Sequence, residues 1–193
     1  MALLLAGAAQ GHDVKHGAVS KVQATPDLPF PVAVGGPYLL IDQTGLPRTE
    51  ADPAGNLQLL FFGYASCEEI CSAVLPQIAD VARALRSRGV AVTPVMITVD
   101  PDRDTVAALG PAMAKYGPDF IGLTGDHNAL VQAYTAFSID SQVVLQLPDG
   151  SPVFAHGSYV YLLDGAGRVL TLFPPILPLE RVIDLVAGYA AKG

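Results

Sequence analysis

Leu57-Gln58-Leu59-Leu60-Phe61-Phe62-Gly63-Tyr64-Ala65-Ser66-Cys67-Glu68-Glu69-Ile70-Cys71 is the stretch on which the reading of this chain turns. Residues 57–62 form a nearly continuous apolar run, bounded by the turn-prone Gly55-Asn56 and by Gly63. A short run of that kind suits a strand buried on both faces. Beyond it, Val74, Leu75, Ile78, Val81, Ala82 and Leu85 recur at helical spacing. They predict a helix from about Cys71 to Arg88, stopped by Gly89. Pro76 argues for a somewhat later start, because proline disturbs a regular turn. The two cysteines therefore stand where a buried strand gives way to a helix.

Working outward, Tyr38–Asp42 reads as a short strand turning at Thr44-Gly45, a first hairpin. Val90–Val99 is rich in β-branched residues and reads as the next buried strand. Asp100-Pro101 predicts a helix start, with Asp100 as cap and Pro101 at the first position, running to about Tyr116. Phe120–Leu123 is a short strand, and His127–Phe137 a helix. Pro148-Asp149-Gly150 joins Val143–Leu147 to Pro152–Phe154, and Asp164-Gly165-Ala166-Gly167 joins Tyr159–Leu163 to Val169–Phe173. Both connections carry hairpin turn residues. A helix over Pro178–Ala191 closes the chain. The early alternation of strand and helix implies parallel strands, and the late hairpins add antiparallel ones. The expectation is an α/β fold: a mixed central sheet with helices on both faces, arranged in the thioredoxin-like manner.

A chain of 193 residues that is 51% hydrophobic can build one well-buried domain and a tail. Residues 1–37, rich in Gly, Ala and Pro, read as leader and linker; residues 38–193 read as the domain. Met1–Ala9 is a short apolar run ending in small residues, too short to span a bilayer. It resembles the tail of a signal peptide or membrane anchor, which would put the domain outside the cytoplasm, in a periplasm. An ordinary leader is the other reading of the same residues. The net charge of −7 repels phosphate backbones and argues against a nucleic-acid partner.

Two cysteines are too few for a stapled scaffold, and a bond between Cys67 and Cys71 would close a very small loop. Their use is therefore expected to be chemical. Where the segment is helical, residues i and i+4 share a face, so both sulfurs can meet one soft ion or form a disulfide. Amide groups at the helix start favour thiolate, whereas Glu68 and Glu69 oppose it but favour a nearby cation. Three residues separate the cysteines, one more than in a thioredoxin-type redox pair. Two thiolates leave a metal shell incomplete. The remaining soft donors are His156 in a loop between strands, His127 at a helix start, His12 and His16 in the leader, and Met96 and Met113 in apolar runs that read as core.

Taken in order, these residues resemble the Sco family, also called SenC or PrrC, of copper chaperones for cytochrome c oxidase assembly. The resemblance runs from about Gly35 to Ala187. It is carried by Gly35-Gly36-Pro37-Tyr38, Leu60-Phe61-Phe62-Gly63-Tyr64 leading into Cys67 and Cys71, and Ile97-Thr98-Val99-Asp100-Pro101-Asp102-Arg103-Asp104-Thr105. Phe120-Ile121-Gly122-Leu123-Thr124-Gly125 and His156 ahead of Tyr161-Leu162-Leu163-Asp164 complete it.

The resemblance implies a thioredoxin-like fold tethered by an N-terminal helix to the periplasmic face of the inner membrane. It implies Cu(I) or Cu(II) bound by Cys67, Cys71 and His156, with Asp100 beside the ligands. It further implies a copper donor, and delivery to the dinuclear copper centre of oxidase subunit II. The alternative is a thiol–disulfide reductase that keeps that centre's cysteines reduced, with Cys67 and Cys71 as a redox-active disulfide. A peroxidase on the same fold is a third reading; no arginine stands near Cys67 in sequence to support it, though Arg103 could approach in space. Glu68 and Ser72 stand where the family usually has proline after each cysteine.

Overall fold

The computed structural model describes residues 34–67 and 70–192. Met1–Ala9, His12, His16, Glu68 and Glu69 lie outside the described residues. In chain order the elements are β1 (Leu40–Asp42), β2 (Pro47–Arg48), β3 (Leu57–Gly63), α1 (Ile70–Ser87), β4 (Val92–Thr98), α2 (Val106–Ala114) and β5 (Ile121–Thr124). There follow α3 (His127–Ala136), β6 (Gln142–Gln146), β7 (Pro152–Ala155), β8 (Val160–Leu163), β9 (Val169–Phe173) and α4 (Leu179–Ala190).

The main sheet has seven strands in the order β2-β1-β5-β4-β3-β8-β9. Strands β3, β4 and β5 run parallel, and β1, β8 and β9 add antiparallel neighbours. Side chains of β3 alternate between two cores, as the pleat requires. Leu59 and Phe61 join the core beneath α1, α2 and α4, together with Leu75, Leu85, Met113 and Val186. Leu60 and Phe62 join the opposite core with Leu130 and Phe137 from α3. Helices cover both faces, as expected for a thioredoxin-like α/β fold.

Three local expectations fail, each for a physical reason. Helix α1 starts at Ile70 and runs through Pro76. Burial of Val74, Leu75, Ile78 and Leu85 along one face holds it together despite the donor that proline lacks. Helix α2 does not begin at Asp100-Pro101. Its cap is Thr105, whose side chain accepts from the Ala108 amide. Residues 100–104 form a turn instead, because Asp104 is drawn inward to Thr98 and Ala65 while Thr105 stays extended. Finally, β6 and β7 do not join the central sheet but form a two-stranded sheet of their own. All five residues of β6 are exposed, so no buried face anchors that strand to the core.

The parallel arrangement sends the C-terminal ends of β3 and β4 to one edge of the molecule. Strand β8 enters from that edge, with Val160 opposite Phe61. The cysteine loop after β3, the turn after β4 and the β7–β8 loop therefore gather there.

Phe62 is fully buried, with its ring 5.5 Å from Phe137 and 6.0 Å from Tyr161. Phe62→Ala should cost about 3–5 kcal/mol. Denaturant unfolding of the metal-free domain measures it.

Candidate metal centre

Cys67 precedes the helix rather than belonging to it. It sits at the end of a turn in which its amide donates to the Tyr64 carbonyl at 3.2 Å. Cys71 is the second residue of α1 and is 1% exposed, whereas Cys67 is partly accessible. The two cysteines thus stand where the strand gives way to the helix, as expected, and the turn rather than a shared helical face brings Cys67 to its partner. The two are not joined by a disulfide, and Cys71 S–H donates to the Cys67 sulfur.

That hydrogen bond, with burial behind it, pushes the Cys71 thiol far above its ordinary range. The expected lowering by the helix start is overridden here: a donor bound to a neighbouring sulfur and removed from water holds its proton. The floor under the sulfurs is Gly63. A Cβ there would stand 2.7 Å from the Phe61 ring and 3.0 Å from the Cys71 sulfur.

His156 lies in the β7–β8 loop. Its ring packs edge-on to Phe61 at 5.8 Å and to Tyr64 at 6.2 Å between centroids. Phe61 thus touches the imidazole and borders the pocket of the Cys71 sulfur. Nδ1 of His156 is 3.1 Å from the Gly157 carbonyl oxygen. A carbonyl only accepts, so Nδ1 carries the proton in this contact and Nε2 is the nitrogen left to bind an ion. Gly157 does not take a left-handed backbone. What its small size allows is close approach, since a Cβ would meet Ile139 at 3.3 Å.

Among the described residues, no three His, Cys, Asp or Glu side chains stand close enough to hold an ion together. The thiols are paired with each other, and the imidazole packs on Phe61 and Tyr64. The nearby carboxylates are committed elsewhere. Asp104 accepts from the Ala65 amide at 2.9 Å and the Thr98 hydroxyl at 2.7 Å, and burial raises its pKa. Asp100, 3% exposed, pairs with Arg103. Among the described residues the carboxylates beside the cysteine loop, Asp100 and Asp104, are thus occupied, and Cys67, Cys71 and His156 offer two sulfurs and one imidazole nitrogen, a set suited to a soft ion.

Four further residues shape the site, of which the sequence had singled out only Arg103, as able to approach Cys67 in space. Tyr64 is buried, its hydroxyl pushed up to about 12 by burial first and the neighbouring Cys67 second. Phe154 packs on it at 5.4 Å. Arg103 lies over its ring at 5.7 Å. Asp104 anchors the cysteine loop through Ala65. The acid–base–acid pattern of Asp100, Arg103 and Asp104 was the visible signal; nothing local marked Phe154. His127 is exposed at the start of α3, and Met96 and Met113 are core residues.

The SCO1/SenC family model matches residues 26–191. The chain belongs to that family. It is 32% identical over 155 residues to a SCO2-like protein of Rickettsia prowazekii, covering 80% of this chain and 76% of that protein. Among solved structures it is similar to Arabidopsis thaliana ScoI with copper bound, with a TM-score of 0.78 and 26% identity over 83% of this chain and all of that one. Bradyrhizobium japonicum ScoI with copper bound gives a TM-score of 0.71 and 31% identity, covering 80% and 99%. Among the described residues of this Sco-family chain, no helix is long and apolar enough to cross a membrane.

Two outcomes follow from this geometry. In the reduced, metal-free protein near neutral pH, alkylation should reach Cys67 at least about tenfold faster than Cys71, since each unit of raised pKa lowers the thiolate fraction tenfold. Peptide mass spectrometry over a time course reads the order. Gly63→Ala should destabilise the domain by about 1–3 kcal/mol through overpacking against Phe61 and Cys71, measured by equilibrium unfolding.

Proposed function

We propose that this protein takes copper as cargo on Cys67, Cys71 and His156 and hands it to a receiving protein. The observation that carries the reading is the donor set: two thiols in contact, an imidazole whose Nδ1 is held by the Gly157 carbonyl so that Nε2 is left to ligate, and Asp100 and Asp104 already committed to other partners. Two thiolates and an imidazole hold Cu(I) in three-coordinate form, and the imidazole also tolerates Cu(II). The separation of His156 from the sulfurs suits transfer. An ion can be met by the cysteines first and completed by the histidine loop, then released in reverse order to competing ligands. Asp100 acts beside the ligands rather than among them. Copper bound to Sco-family neighbours of the same fold supports the choice of ion.

The family role implies a place in cytochrome c oxidase assembly. A copper donor loads the protein, and the dinuclear centre of oxidase subunit II receives the ion. On this reading residues 38–193 form the copper-binding domain and residues 1–37 the leader, with the domain held at the periplasmic face of the inner membrane.

A second reading has its own support in the contact between the sulfurs and their unequal burial. Cys67 would attack a partner's disulfide, and Cys71 would resolve the mixed disulfide. The partner then leaves with two thiols and Cys67–Cys71 becomes oxidised.

One set of variants separates the two. The reduced protein should bind one Cu(I) per chain, counted by elemental analysis after gel filtration. Cys67→Ser and Cys71→Ser should abolish stoichiometric binding, and His156→Ala should weaken it by about 10–100-fold. Full-affinity copper in His156→Ala would remove the histidine from the site. Reduction of a client disulfide without copper, lost in Cys67→Ser but kept in His156→Ala, would favour the redox reading.

A further inference from the structure

We propose that Arg103 is the positioning residue for the histidine side of the metal site, fastening the β6–β7 hairpin to the cysteine loop so that His156 stays within reach of the sulfurs. The inference rests on the reading of His156 as a copper ligand.

The hairpin needs such a fastening. It shares no ladder with the central sheet, and every residue of β6 is exposed. Yet β7 ends at Ala155, immediately before His156. Whatever fixes β7 therefore fixes the start of the histidine loop. Arg103 does so from outside the hairpin. Its Nη2 donates to the Pro152 carbonyl at 3.1 Å, on the first residue of β7. Its Nε donates to the Asp100 carboxylate, which is buried at the end of β4. The face of the same guanidinium covers Tyr64, three residues before Cys67. Tyr64 in turn packs on Phe154 and His156, and the Phe154 backbone hydrogen-bonds to its hydroxyl.

The next residue grips the other side. Asp104 accepts from the Ala65 amide, two residues before Cys67. The turn over 100–104 thus holds the cysteine loop by a carboxylate and the histidine hairpin by a guanidinium, from adjacent positions. A planar fork can bind a carboxylate, a carbonyl and a ring face at once; a lysine ammonium cannot keep all three. Arg103 reaches the histidine side through the Pro152 carbonyl and the Tyr64 ring, so its effect on an ion passes through the hairpin.

The test compares Arg103→Ala, Arg103→Lys, His156→Ala and the Arg103→Ala/His156→Ala double variant in the reduced protein. Cu(I) affinity is read by competition with a chromophoric chelator, and the thiolate-to-metal absorption is recorded after adding a Cu(II) salt. Arg103→Ala should lower affinity by about 10–100-fold, as loss of a ligand-orienting partner does, and move the absorption towards that of His156→Ala. Arg103→Lys should fall between. In the His156→Ala background, Arg103→Ala should change affinity by no more than about twofold, because the residue through which it acts is gone. NMR of the metal-free protein supplies a copper-independent readout. His156 ring resonances, shifted by Phe61 and Tyr64, should move towards solvent-exposed values in Arg103→Lys.

Wild-type affinity and absorption in Arg103→Ala, with His156→Ala impaired, would overturn the positioning role alone. So would an equal loss in both backgrounds, or unmoved His156 resonances in Arg103→Lys. Wild-type copper binding in His156→Ala would instead overturn the ligand reading on which the inference rests.

Discussion

Burial of strand β3 on both faces is the constraint on which the rest of this molecule depends. Leu59 and Phe61 look into one core and Leu60 and Phe62 into the other, so the strand can neither slip by one residue nor leave the middle of the sheet. Its end is thereby fixed, and with it the turn that carries Cys67. The same strand sets the neighbours: β4 delivers the Asp100–Asp104 turn from one side, and β8 begins at the histidine loop on the other. Phe61 is structural and chemical at once, since its ring is core, flanks the Cys71 sulfur pocket and supports the His156 imidazole.

The chemistry at this edge is defined as much by what is withheld as by what is offered. Two acidic residues of the turn after β4 stand close to the cysteine loop, and an exposed pair of carboxylates there would invite hard cations. Asp104 instead spends its oxygen on the Ala65 amide and the Thr98 hydroxyl, and Asp100 is neutralised by Arg103. The sulfurs hold each other by a hydrogen bond, which keeps Cys71 protonated until an ion or an oxidant displaces its proton. Metal binding and disulfide formation both begin by breaking that bond. The two proposed activities are thus alternative fates of one resting state.

Much of this was legible in the chain before any coordinates. The apolar run 57–62, the β-branched run after Gly89 and the two late turns specify a buried parallel core with antiparallel additions, because burial on two faces and turn conformations leave direct marks on residue type. Family membership was likewise carried by local motifs in order. The cysteine pair and its place between strand and helix were visible in the sequence, but what joins the two sulfurs was not. Spacing alone cannot tell a helical pair from one in which the first cysteine lies in the preceding turn. Helix α2 was misplaced for a similar reason: Asp100-Pro101 and Thr105 are both good helix starts locally, and the inward pull on Asp104 chose between them.

By itself, then, the sequence determined which elements form, which faces are buried and which residue types are available to bind a soft ion. These properties depend on local periodicity and side-chain chemistry. Only the tertiary structure decided that Cys71 is protonated rather than activated, that β6–β7 stands outside the sheet, and that Arg103 spans the two sides of the site. Each of these depends on groups far apart in the chain, such as Arg103 and Pro152 or Phe61 and His156. Their meeting is set by strand order and not by neighbouring residues.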